Sequence, residues 1–169
     1  MTGAHVVVMG VSGCGKSAVG EGVAAALGLP LIEGDAFHPP ANVEKMRQGV
    51  PLEDEDRAGW LARLGEELSR HPQGAVLTCS ALKRSYRDVL RSHAPGLRFV
   101  HLKLSQDEAL RRVAARGGHF YPPSLVASQF ATLEDPAAEQ GVLSVDAQLP
   151  LAQVTRQTVA WIHSTQRNR

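Results

Sequence analysis

Gly10-Val11-Ser12-Gly13-Cys14-Gly15-Lys16-Ser17 narrows the folds open to this chain more than any other feature. The octet matches G-x-x-x-x-G-K-S/T at every position. Its flanks fit as well. His5–Met9 is a β-branched run of strand length, and Lys16–Leu27 sets Val19, Val23 and Leu27 on one helical face. Glycines between a strand and a helix let the backbone turn tightly. Successive N–H groups and the positive end of the helix then form an anion cradle. Gly10 to Ser17 are therefore the expected nucleotide-phosphate loop. Lys16 is expected to reach the β- and γ-phosphates, and the Ser17 hydroxyl to ligate Mg²⁺. Cys14 reads as a small residue contributing its backbone N–H, not as a reactive thiol.

The rest of the chain repeats the alternation of strand and helix. Pro30–Glu33, Ala75–Cys79, Leu97–Leu104 and Val142–Asp146 read as strands. Helices are expected over Asn42–Gln48, Glu55–Arg70, Lys83–Ser92 and Leu151–Gln166, with Gly34–Pro40 a loop. Trp60, Leu61, Leu64 and Leu68 form one apolar stripe; Leu151, Val154, Thr158 and Ile162 form another. Ser105-Gln106-Asp107-Glu108 is a capping box that opens a helix running to about Arg116. Gly117–Pro123 breaks it, and a short helix resumes through Phe130. Each parallel return needs a crossover, so this order calls for an α/β fold in three layers, with a five-stranded parallel sheet. Ligands of such sheets bind at the carboxyl ends of strands. The segments after Met9, Glu33, Thr78 and Leu104 should share that edge.

Composition removes several function classes. At 169 residues the chain fits a single domain, 1–169. Lys+Arg is 18 and Asp+Glu is 17, and this balance gives no global field for nucleic acid or an anionic membrane. No apolar run approaches the roughly 18–20 residues that span a bilayer. The N-terminus lacks a secretory pattern, and the two cysteines, Cys14 and Cys79, make no disulfide framework. These features favour a reduced, cytoplasmic location.

Several classes of nucleotide-binding protein remain. A GTPase switch needs D-x-x-G after an apolar strand, but Asp56-Arg57-Ala58-Gly59 follows Glu53-Asp54-Glu55 and reads as a helix start. No N-K-x-D follows. The strand Val76–Cys79 ends in Ser80 where a motor ATPase would carry an acid, and Asp146 reads as a turn residue after an edge strand. Asp35, just after the second strand, is the candidate that could orient a substrate hydroxyl, accept its proton or hold a water on Mg²⁺. An Asx-turn is its plainer reading. Basic groups near a helix N-terminus oppose the dipole, so Arg57, Lys83 and Arg87 suit an acidic substrate better than helix stability. Arg84, Arg91 and Arg111 read as surface residues. Gly117-Gly118-His119, between two helices, reads as a mobile lid that excludes water.

The strings Gly34–Pro39, Asn42–Met46, Gly49–Leu52, Asp54–Arg57, Trp60-Leu61, Cys79–Asp88, Arg116–Phe120 and Ser128–Glu134, with Gly10–Ser17, together resemble the gluconokinase family of small P-loop kinases. That family is related to shikimate kinase and the nucleoside monophosphate kinases. The resemblance implies a P-loop kinase fold with a short helical lid at about 117–134. It also implies ATP-dependent phosphorylation of D-gluconate to 6-phospho-D-gluconate with Mg²⁺, and a homodimer. Asp35 would position or deprotonate the attacking hydroxyl. His38, Arg57, Lys83 and Arg87 would meet the sugar acid or the transition-state charge. Arg116 would lie over the nucleotide, His119 would face the substrate, and Pro150 would either pack near adenine or be a plain loop proline. Three departures stand out: Cys14 where Ser is common, Glu33 where Asp is common, and Gly59 where Pro is usual. A kinase for another small acid, a nucleoside monophosphate kinase and a non-catalytic nucleotide switch are the alternatives.

Overall fold

The five apolar runs form one parallel sheet in the computed structural model, which describes residues 3–116 and 122–167, with residues 116 and 167 described by their backbone alone. The elements are β1 (His5–Met9), α1 (Lys16–Leu27), β2 (Leu31–Glu33), a 3₁₀ turn (Gly34–Phe37), α2 (Pro40–Arg47), α3 (Asp54–Ser69), β3 (Ala75–Thr78), α4 (Arg84–His93), β4 (Arg98–Lys103), α5 (Gln106–Arg116), α6 (Ser124–Thr132), β5 (Val142–Asp146) and α7 (Leu151–Arg167). Strand order is β2-β3-β1-β4-β5. β1 lies at the centre, paired with β3 through Val8 and Thr78 and with β4 through Val8 and Val100. Val6, Val7, Val8 and Met9 are fully buried, as a strand covered on both faces requires.

The topology places the ligand edge. The chain moves one way across the sheet from β1 to β2, and the other way from β2 onward. Right-handed crossovers then put α1 on one face and α3 and α4 on the other. α1 packs against α7, and α3 against α4. Adjacent strands β1 and β3 thus send their chains to opposite faces, which opens a crevice at their carboxyl ends.

Local chemistry explains most boundaries. Gly28 ends α1 with φ 67°, and the Ser105 hydroxyl accepts the Glu108 N–H at 3.2 Å to open α5. Asp56 accepts the Glu53 N–H at 2.8 Å at the start of α3. The Trp60, Leu61, Leu64 and Leu68 stripe is buried as its spacing predicts. Two expectations shift. Gly34–Pro40 is not all loop, because Gly34–Phe37 makes a 3₁₀ turn and α2 begins at Pro40. Proline suits a first helical turn, where its missing N–H has no partner to lose. Leu151 is exposed although Val154, Thr158 and Ile162 are buried. Asp146 does cap a turn, accepting the Gln148 N–H at 2.9 Å on edge strand β5. His101 on β4 is buried, and burial pushes its imidazole down to about 4, so it stays neutral.

Candidate active site

The octet leaves β1 at Met9 and wraps into α1. Gly10 has φ 150°, and a Cβ there would stand 2.7 Å from Cys14 Sγ and 2.9 Å from the Leu102 carbonyl oxygen. Only glycine fits that bend. Lys16 Nζ donates to the carbonyl oxygens of Gly10 (2.9 Å) and Val11 (3.1 Å), so the ammonium lies across the loop. Cys14 is buried within the turn. The Ser12 N–H donates to Gln129 Oε1 of α6 at 2.5 Å, which ties the loop to a helix far along the chain.

Ser17, at the start of α1, faces the end of β2. Its hydroxyl donates to Glu33 Oε2 at 3.1 Å, and the Thr78 hydroxyl donates to the same oxygen at 2.6 Å. Glu33 therefore joins the site, although the sequence marked it only as a family departure. Its signal was its place at a strand end beside Asp35. Gly34 follows with its backbone against β3. A Cβ on Gly34 would lie 2.1 Å from the Thr78 carbonyl oxygen, so this approach requires glycine.

A cleft of roughly 200 Å³ opens beside the loop. Ser12, Lys16, Asp35, His38, Arg57, Trp60, Ser80 and Gln129 give it polar and aromatic walls, while Val43, Met46, Leu52 and Leu125 give it an apolar one. Asp35 and Lys16 thus share one concavity. The Asp35 side chain is 73% exposed, so its carboxylate is open to a ligand. His38 Nε2 stands 3.7 Å from Asp35 Oδ1. The His38 ring stacks on Trp60, with centroids 4.0 Å apart and planes 16° apart. Trp60 is itself fixed by its indole N–H donating to the Gly34 carbonyl at 2.8 Å. Burial lowers the His38 imidazole; Asp35 raises it and Arg57 lowers it further, for a net downward shift.

Arg57 is buried on α3, and Nη1 donates to the Tyr86 hydroxyl at 3.0 Å. Tyr86 in turn donates to Asp54 Oδ1 at 2.5 Å, and Lys83 Nζ donates to the same oxygen at 3.0 Å. The Tyr86 and Lys83 hydrogen bonds hold the Asp54 carboxyl below its ordinary value. Lys83 is part of this cluster but does not line the cleft. Its charge is already matched by Asp54.

Arg87 stands differently from the sequence expectation. It is fully buried, with Nη1 on the Ala81 carbonyl (2.7 Å), Nη2 on the Glu134 carbonyl (3.0 Å), and Nε and Nη2 on the Glu139 carboxylate (3.0 and 2.6 Å). It braces the β3–α4 loop from behind and does not reach the cleft. Pro150 opens α7, its carbonyl accepting the N–H groups of Gln153 and Val154. It stands next to a groove of about 240 Å³ lined by Cys14, Arg112, Leu149 and Leu151. Arg112 was not predicted at the site. It joins the phosphate loop to the end of β5, donating to the Gly13 carbonyl at 3.2 Å and the Ala147 carbonyl at 3.0 Å. The Arg116 side chain and His119 lie outside the described residues. Gln129 and Arg112 left no local signal, because their partners are far away in sequence.

This arrangement can hold a polyphosphate on the loop and present an acceptor hydroxyl to it beside Asp35. Comparison with known proteins identifies the family. A family model described as an AAA domain matches residues 6–136. A gluconokinase of Gluconobacter oxydans is 52% identical over 146 residues, covering 85% of this chain and 82% of that protein. The thermosensitive gluconokinase of Escherichia coli is 41% identical over 173 residues, covering 100% of this chain and 92% of its own. The crystal structure of a gluconokinase from Sinorhizobium meliloti 1021 superposes with a TM-score of 0.90 at 51% identity, covering 98% of this chain and 94% of that one. Identity of this order, sustained across most of both chains and across the whole parallel sheet, makes this chain a member of the gluconokinase family of P-loop kinases.

Proposed function

We propose that this chain is an ATP-dependent kinase that converts D-gluconate to 6-phospho-D-gluconate. One observation carries the reading. A single cleft is lined by Lys16 of the phosphate loop, the open Asp35 carboxylate and the buried Arg57. The relatives named gluconokinase support the acceptor. Gly10 to Ser17 hold the ATP phosphates, and Lys16 leaves the loop carbonyls to meet the β- and γ-oxygens. Asp35 Oδ1 orients the sugar-acid hydroxyl and takes its proton as the oxygen bonds to the γ-phosphorus and the bond from that phosphorus to ADP breaks. Arg57 receives the sugar-acid carboxylate, with His38 beside it in the cleft wall. A guanidinium can grip a carboxylate bidentately, which favours a sugar acid over a neutral sugar. Arg112 and Pro150 border the nucleotide side.

Ser17 and Glu33 suit Mg²⁺. Both offer hard oxygen atoms, and they stand 3.1 Å apart on the phosphate side of the sheet edge. Mg²⁺, when bound, neutralises charge on the phosphate oxygens. The same reading takes 1–169 as one kinase domain with a lid at about 117–134 that closes on ATP, bringing Arg116 over the nucleotide and His119 toward the acceptor. The bond from the Ser12 N–H to Gln129 of α6 supports a lid tied to the loop. A homodimer in a reducing cytoplasm completes the proposal. Free, buried Cys14 and Cys79 fit that compartment. Among the described residues no helix is long and apolar enough to cross a membrane.

The test is ADP release from Mg-ATP with gluconate, other sugar acids, shikimate, glucose and nucleoside monophosphates. Gluconate-dependent release, with 6-phosphogluconate identified by mass, is the expected result. Activity on another acid alone would keep the phosphate chemistry and overturn the acceptor. ATP binding with no acceptor-dependent release would favour a nucleotide switch.

A further inference from the structure

The hydrogen bonds around His38 fix which of its nitrogens carries the proton. Asn42 is buried on α2, and its Nδ2 donates to the Asp56 carbonyl oxygen at 2.9 Å. A carbonyl oxygen only accepts, so this bond settles which end of the Asn42 amide is NH₂. The same Nδ2 stands 3.2 Å from His38 Nδ1. An amide NH₂ only donates, so Nδ1 must accept and carries no proton. A neutral imidazole then holds its proton on Nε2. The stacked Trp60 ring, pinned to the Gly34 carbonyl, keeps the imidazole from turning. Nε2 is the atom on the Asp35 side, 3.7 Å from Oδ1, in the wall of the cleft.

Resting on the proposed sugar-acid kinase, we infer that Asn42 is a positioning residue for the acceptor: it holds His38 as the neutral Nε2–H tautomer, so that this N–H donates to an acceptor oxygen beside Asp35. His38 then cannot remove the hydroxyl proton, because the nitrogen facing the cleft already bears one. Proton acceptance is left to Asp35. The chain of command runs from the α3 backbone at Asp56, through Asn42, to the imidazole and the acceptor. A histidine so held selects for an oxygen that accepts a hydrogen bond and lets Asp35 stay the lone proton acceptor of the pair.

Nitrogen NMR of the substrate-free chain, with ¹⁵N in its histidines and the His38 signals assigned by their loss in His38→Gln, reads the tautomer directly. The expected wild-type pattern is a protonated Nε2 and a bare Nδ1. A protonated Nδ1 in the wild type would overturn the inference without any variant having to fold. Asn42→Ala should mix the two tautomers and raise the gluconate KM about 10-fold, with the ATP KM unchanged. Equal loss for both substrates, or unchanged kinetics despite a mixed tautomer, would reduce Asn42 to a packing residue. His38→Gln can place an N–H near the Nε2 position and should retain more activity than His38→Asn; the reverse order would count against the Nε2–H role. The NMR signal needs no acceptor, so a wrong choice of sugar acid would appear in the acceptor panel and leave this signal unchanged.

Discussion

Arg57 and Arg87 sit near the starts of neighbouring helices, both are buried, and they end in different work. Arg87 is enclosed by Ala81, Glu134 and Glu139, and Nε, Nη1 and Nη2 all have partners. Among the described residues Arg57 engages only Nη1, on the Tyr86 hydroxyl, and its side chain lines the cleft beside Asp35 and His38. A guanidinium has five N–H donors. When its nitrogens are all met by protein, as in Arg87, the group is a strut. When some are held back at a concave surface, as in Arg57, it is a binding group. The difference teaches that burial alone does not separate structural from functional charge. The donor count does.

The largest effects should fall on the cleft side. Lys16→Ala should abolish turnover in a folded chain, because nothing else on the loop supplies its charge. Near-normal kcat in a folded variant would break the assignment. Asp35→Asn should lower kcat by about 10²–10⁴-fold, with ATP Kd little changed. A change confined to ATP Kd would remove Asp35 from the acceptor. On the strut side, Arg87→Ala should cost about 3–5 kcal/mol of stability, since it removes a fully buried guanidinium and leaves the half-buried Glu139 with Arg91 as its remaining charged partner. Urea unfolding measures this. A stable Arg87→Ala that had lost gluconate affinity would reverse the contrast between the two arginines.

The contrast also marks how far the sequence could be read. The octet, the stripe on α3 and strand β5 were legible because each is local: a few residues fix the turn, the face or the cap. Arg57 and Arg87 looked alike for the same reason. Both oppose a helix dipole, and a local reading stops there. Glu139, which neutralises Arg87, is 52 residues away, and Gln129 is 117 residues from Ser12. Such partners are set by the strand order β2-β3-β1-β4-β5, which brings the segment before β5 behind α4. Asp35 was legible as a candidate from its place just after the second strand, and His38 through the string that resembles the family. Their geometry was not, because the ring of His38 is placed by Trp60 and Asn42 from two other helices. Glu33 was visible only as an odd residue until Ser17 and Thr78 were seen to share its oxygen.

Arg57→Met should give the next smaller effect. It keeps much of the apolar stem and removes the donors, so the gluconate KM should rise roughly 10–100-fold, the range expected for losing a hydrogen bond to a charged group. Stability should fall less than in Arg87→Ala, because Arg57 gives up one hydrogen bond to a hydroxyl and no ion pair. Equal destabilisation of the two variants, by urea unfolding, would erase the distinction between them.

Glu139→Gln gives the smallest effect and the clearest signature. Burial pushes the Glu139 carboxyl up, but hydrogen bonds and charge from Arg87 and Arg91 outweigh it and hold the group below its ordinary value. A carboxyl lowered by folding binds fewer protons in the native chain than in the unfolded one. Its stabilisation is therefore complete above the unfolded value of 4.5 and is lost as pH falls through the lower folded value. Glutamine keeps the volume and one acceptor oxygen but has no charge to titrate. The gap in stability between wild type and Glu139→Gln should thus be widest near neutral pH and close as the pH drops below about 4.5. Urea unfolding of both chains across that interval reads it. A gap that stayed constant with pH would mean that shape, not charge, makes Arg87 a strut, and the donor count would no longer explain why it differs from Arg57.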